Sequence, residues 1–154
     1  MSIQQFQGKV EFLDSVEMGE GTLESHRVGV EALTAAVTLK TSDSGKVFTL
    51  GSAGGFTVTL PAAASATGWT ARFYVKVAPT TAYIIAGGTA DLMVGTVHSS
   101  TGGNADSETT AGADQVNFVA DTSLIGDRVD IVCDGTHYYV QGFCDADGGI
   151  TLTG

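Results

Sequence analysis

From Leu33 onward, apolar and polar residues alternate in short runs. Leu33, Ala35, Val37 and Leu39 share one parity, with Thr34, Ala36, Thr38 and Lys40 between them. Successive side chains leave a strand on opposite sides, so this alternation predicts a strand with one buried face. Val47 to Leu50 predicts a short strand between the turn cluster Ser42-Asp43-Ser44-Gly45 and the glycine-rich stretch 51–55. Phe56, Val58 and Leu60 then alternate with Thr57 and Thr59, and Pro61 closes that strand because it has no N–H for a ladder. The longest alternation sets Trp69, Ala71, Phe73, Val75 and Val77 against Thr70, Arg72, Tyr74 and Lys76. The first set is expected in the core and the second against solvent or a partner.

After the turn Pro79-Thr80-Thr81, Tyr83-Ile84-Ile85 predicts a return strand, and Leu92 to Val97 predicts another. Ser99 to Gly112 holds almost nothing apolar and predicts a long exposed loop. Val116, Phe118 and Ala120 resume the alternation. Val129, Ile131 and Cys133 lead into Asp134-Gly135, and Tyr138, Val140 and Gly142 come back, which is the clearest hairpin of the chain. Ile150 and Leu152 predict a short last strand. Ala62 to Ala66 has room for one helical turn before Gly68. About nine short strands, with turn signals roughly every 8–12 residues, predict an all-β, antiparallel sandwich or barrel, a jelly roll being the first choice.

Residues 1–31 read differently. Glu11, Asp14, Glu17, Glu20, Glu24 and Glu31 are acidic, and glycines at 19, 21 and 29 interrupt any helical pattern. Phe6, Val10, Phe12, Leu13, Val16, Met18 and Leu23 are scattered among them. This composition predicts an extended N-terminal arm with little core of its own, whose apolar residues dock on something, followed by a β domain over 32–154.

A chain of 154 residues is one domain in size, and it can bury a core without disulfides or metals. The formal net charge is -10, and from Asp91 onward Arg128 stands alone against a run of carboxylates. Such a balance argues against nucleic acid and against an anionic membrane as partners, since both need clustered Lys and Arg. It serves solubility or meets a basic protein partner. Cys133 and Cys144 are expected as separate, buried, reduced thiols, the first beside a tight turn and the second well beyond it. Met1-Ser2-Ile3-Gln4-Gln5 lacks a signal-peptide pattern, and no apolar run is long enough to span a membrane. A reducing cytoplasm is therefore the expected place of synthesis.

Catalytic and metal signatures fail on spacing. His26, His98 and His137 lie far apart with no metal-ligand spacing. Ser44-Gly45-Lys46 resembles the end of a phosphate loop, yet Lys40 stands where that motif needs glycine and Val47 where it needs Ser or Thr. Asp145-Ala146-Asp147-Gly148-Gly149 resembles a calcium-loop fragment, but Ile150 to Gly154 supply no downstream carboxylate. Trp69, Tyr74, Tyr83, Tyr138 and Tyr139 are candidates for a sugar-binding face, although strand aromatics are more often core. The expectation is no enzyme, no cofactor and no metal.

Three stretches together resemble head decoration, or cement, proteins of tailed bacteriophages. They are Leu33-Thr34-Ala35-Ala36 with Asp43-Ser44-Gly45-Lys46-Val47-Phe48, then Phe56-Thr57-Val58-Thr59-Leu60-Pro61, then the segment from Gly126-Asp127-Arg128-Val129 through Val132-Cys133-Asp134-Gly135-Thr136-His137-Tyr138-Tyr139-Val140 to Gly149-Ile150-Thr151-Leu152-Thr153. The resemblance covers about Leu33 to Gly154. It implies a structural virion protein on the capsid exterior, a homo-oligomer (trimer favoured) whose partner is the major capsid protein. The family offers no catalytic residues to carry over. Similar short motifs occur in phage tail fibres, so a fibre or lectin-like receptor-binding module is the second expectation, and an enzyme with an unrecognised carboxylate site the third.

Overall fold

The computed structural model describes residues 27–88, 92–101 and 105–154. The best alternations become its best strands. Val30–Leu33 (β1), Val37–Thr38 (β2), Lys46–Leu50 (β3), Phe56–Thr59 (β4), Thr70–Val75 (β5) and Tyr83–Ala86 (β6) make the first half. Leu92–Ser99 (β7), Ala105–Ala113 (β8), Gln115–Phe118 (β9), Arg128–Cys133 (β10), His137–Cys144 (β11) and Ile150–Thr153 (β12) make the second. Short 3-10 turns at Thr41–Asp43 and Ala63–Ser65 are the helical elements among the described residues. The second is the single turn expected between Ala62 and Ala66.

The strands form two sheets. The larger has the order β1-β3-β5-β10-β11-β7-β8 and the smaller β12-β9-β6-β4-β2. One hydrophobic cluster joins their inner faces, with Phe48, Phe73, Val129 and Val140 from the larger sheet and Val58, Ile85, Val116, Phe118 and Ile150 from the smaller. The all-β expectation holds.

The strictly antiparallel jelly roll does not. From β1 to β6 the chain alternates between the sheets at every step, so β1, β3 and β5 run parallel in one and β2, β4 and β6 parallel in the other. The first half is therefore a short two-sheeted coil. The second half caps it with antiparallel pairs, β10 on β5 and β11, β9 on β6 and β12. A further parallel pair joins β11 to β7. Parity in a sequence reports which face a side chain takes and leaves the neighbouring strand open.

Three local expectations change for the same reason. Leu33 to Leu39 is two strands in different sheets, not one; Leu33 and Leu39 are buried while Ala35 is exposed on the crossing between them. Tyr83–Ala86 does not return beside β5 but crosses to the smaller sheet. Part of the expected loop at Ser99 to Gly112 is β8, paired antiparallel with β7. Backbone pairing needs no apolar side chains, so this strand left no alternation to read. The arm boundary at 31 falls inside β1, and residues 1–26 lie outside the described residues.

Two glycines make the coil and its cap possible. Gly55 has φ 64°, and a Cβ there would lie 2.1 Å from the Thr81 carbonyl oxygen. Gly95, at an irregularity in the β7–β8 pairing, passes so close to β11 that a Cβ would meet the Val140 carbonyl oxygen at 1.9 Å. Only glycine fits such approaches.

Candidate interaction surface

The Asp134-Gly135 hairpin forms as expected. Gly135 takes φ 98°, and the turn closes with the Asp134 N–H donating to the His137 carbonyl at 3.2 Å. The Asp134 carboxylate accepts the Thr136 and His137 N–H groups at 2.7 Å each and the Tyr139 hydroxyl at 3.0 Å. These donors, His137 N–H first, hold the Asp134 carboxyl below its ordinary value. The same contact with Asp134 pushes the Tyr139 phenol up.

This hairpin places the outer face of the larger sheet in cross-strand rows. One row runs Val30, Val47, Arg72, Asp130, Gln141, Thr96. The next runs Ala32, Thr49, Tyr74, Arg128, Phe143, His98. A third runs Thr70, Val132, Tyr139, Val94. Their chemistry is charged, of both signs, and aromatic. Arg72 Nε donates to Asp130 Oδ1, and Arg128 Nε lies 3.8 Å from Asp130 Oδ2. The Arg128 guanidinium sits 4.6 Å over the Phe143 ring, and His98 stacks on the other flank of Phe143 at 5.7 Å. Two guanidiniums share the Asp130 carboxylate there, while Asp134 at the hairpin and Asp145 beside Phe143 add negative charge at the ends of the face.

The same face leaves apolar side chains in water. Val28 is 52%, Val30 69%, Val132 47%, Tyr139 49% and Phe143 40% exposed, and Ile125 reaches 72% on the adjoining loop. A shallow hollow lies along it between Val28, Val47, Thr70, Arg72, Asp130 and Val132. A second, lined by His98, Ile125, Phe143 and Asp145, opens at the far end of the β11 strand. Singly exposed apolar residues are ordinary; a run of them rimmed by charge marks a contact surface.

The other sequence candidates do not gather. His98 rests on Phe143, His137 lies beside Tyr139, and His26 falls outside the described residues. Lys46 is neutralised by Asp43 at 2.7 Å and Glu31 at 3.0 Å, and Gly45 makes a turn into β3 with φ 80°. Asp145 accepts from Ser100 Oγ. No group of three His, Cys, Asp or Glu residues able to hold a metal occurs among the described residues. Trp69, Tyr83 and Tyr138 are core, their polar ends bonded to the Lys40, Val77 and Pro61 carbonyls. Cys133 and Cys144 are both buried. No described helix is long and apolar enough to cross a membrane. The arm candidates Phe6, Val10, Phe12, Leu13, Val16, Met18 and Leu23 lie outside the described residues.

One buried carboxylate was not singled out by sequence. Asp127 is 4% exposed and accepts the Ser123 hydroxyl at 2.9 Å, the Leu124 N–H at 2.8 Å and the Asp145 N–H at 3.0 Å. Its oxygens are satisfied by a loop and a strand end, a structural arrangement. No family model matches the chain, and neither does any curated protein or solved structure.

Proposed function

We propose that this protein is a structural component of a bacteriophage virion that binds the outside of the capsid and stabilises the shell. The observation that supports the reading is the outer face of the larger sheet, where Val30, Val132, Tyr139 and Phe143 stand exposed around Arg72 and Arg128. A two-sheeted body with such a face is suited to bridging neighbouring shell subunits. Anything that binds only the assembled shell stabilises it by mass action. Trimers would add avidity without new contact types. In this reading the major capsid protein is the partner, and Phe6, Val10, Phe12, Leu13, Val16, Met18 and Leu23 make a second contact along it. Acidic loop residues such as Asp121 and Asp147 face any basic patch on the shell.

Co-sedimentation with purified shells tests the reading. The full chain is expected to pellet with shells and to raise their resistance to heat. A chain lacking residues 1–26, with circular dichroism showing its sheets intact, is expected to lose most of that binding. Undiminished binding by the shortened chain would remove the arm from the account. Binding to neither shells nor virions, with retention on a saccharide array instead, would favour a receptor-binding module, for which Tyr139, Phe143 and His98 offer stacking surfaces.

A further inference from the structure

We infer that the loop between β9 and β10, with the hollow beside it, is a self-complementary patch through which two copies of this chain pair about a twofold axis. The loop carries a knob. Ile125 is 72% exposed and its neighbour Leu124 41%. The backbone around them is well tied. Asp121 N–H donates to the Pro79 carbonyl at 2.8 Å, Ser123 N–H to Val119 at 2.9 Å and Gly126 N–H to Val75 at 2.9 Å. The buried Asp127 carboxylate adds two bonds, from the Ser123 hydroxyl and the Leu124 N–H. A buried carboxylate is costly unless it is bonded, and these bonds hold two large apolar side chains outward.

The hollow lies against the knob. It has a volume of about 500 Å³, and Ile125, His98, Phe143 and Asp145 line it. Pockets of that size take a small ligand, so an isoleucine side chain with part of a neighbouring leucine fits. The third bond of the Asp127 carboxylate comes from the Asp145 N–H at 3.0 Å. One buried group therefore ties the loop that bears Ile125 to the strand end that bears Asp145.

Charges of both signs flank the hollow. The Arg128 guanidinium lies over the Phe143 ring. Its Nε makes no hydrogen bond among the described residues, and Asp130 Oδ2 at 3.8 Å is too far for one. Asp145 accepts from Ser100 Oγ, and the ion pair of Arg128 is with Asp130, not with Asp145. Knob and hollow, arginine and carboxylate, thus sit side by side on one surface. A twofold axis beside Ile125 seats each knob in the other copy's hollow and turns each Arg128 toward the other copy's Asp145, so every contact is made twice. A closed ring would need knob and hollow on different sides of the molecule. The pairing leaves Val30, Val132 and Tyr139 open to another partner, and it stands whether or not that partner is a capsid.

Analytical ultracentrifugation of the full chain over a range of concentrations tests the pairing, with circular dichroism to show that each variant keeps its sheets. The native chain is expected to form dimers, and Ile125→Asp to weaken them by about tenfold or more. Arg128→Glu and Asp145→Lys are each expected to weaken self-association. An equal mixture of those two variants is expected to recover dimers, because each copy then supplies the charge that the other has lost. A native chain that stays monomeric at every concentration overturns the inference, and so does a trimer with no dimeric species. Self-association that Ile125→Asp leaves unchanged, or a charge-variant mixture no more associated than its components, overturns it as well.

Discussion

On the smaller sheet the outward positions are Thr38, Thr59, Ala86, Gln115 and Thr153 in one row and Thr57, Ile84, Asn117 and Thr151 in the next. Asn117 and Gln115 spend their amides on Thr153 Oγ1, at 2.7 and 3.2 Å. On the larger sheet the outward positions are Arg72, Asp130, Arg128, Tyr139 and Phe143, with exposed valines between them. Both sheets bury the same kind of inner face, Val58, Ile85 and Val116 on one side against Phe73, Val129 and Ile131 on the other. The inner faces are set by folding. The outer faces answer to something else, and only one carries charge and exposed rings.

Removing the common support should erase the contrast, with the largest effect. Phe73 is fully buried and stacks on Phe48 at 5.3 Å. Phe73→Ala is expected to cost about 3–5 kcal/mol, read by urea denaturation, with both sheets lost in one transition. A local break comes next. Gly95→Ala puts a Cβ against the Val140 carbonyl and is expected to cost about 1–3 kcal/mol. Hydrogen exchange should then quicken in β7 and β11 while β4, β6 and β9 keep their protection. Equal loss in both sheets would show that they do not respond separately.

The two faces can then be compared directly. Val132→Thr with Tyr139→Ser should leave stability within about 1 kcal/mol and greatly weaken shell binding. Thr57→Ser with Asn117→Ser on the other face should leave binding intact. Equal effects from the two pairs would dissolve the comparison. The smallest effect is in acid. Asp134 has a depressed carboxyl in the folded chain, held by His137 and Thr136 N–H groups. Its contribution is in place above the unfolded carboxylate value, near about 4, and is lost as pH falls through the lower folded value. The stability advantage of the native chain over Asp134→Ala should therefore shrink when denaturation is repeated in increasing acid below that value. An advantage that grows in acid would reverse the assignment.

Much of the fold was legible because burial writes period two into the chain. The β5 face of Trp69, Ala71, Phe73 and Val75, and the β10–β11 hairpin, could be read residue by residue. The crossing at Thr34-Ala35-Ala36 was hidden by chance, since Leu33 and Leu39 keep one parity although they bury against different sheets. The strand at Ala105–Ala113 was hidden because its pairing rests on backbone groups. Thr70, Arg72, Tyr74 and Lys76 were legible as a solvent or partner face. Their alignment with Arg128, Phe143 and His98 was not, because it needs β10, β11 and β7 brought beside β5 by parallel and antiparallel pairings that alternation does not specify.

The central claim, a lattice component on a capsid exterior, is tested most directly by copy number. Quantitative mass spectrometry of purified virions would compare this chain with the major shell protein. A ratio of the same order as the shell protein's own is expected. A handful of copies would place the protein in a tail or fibre, and absence from the particles would contradict the account outright.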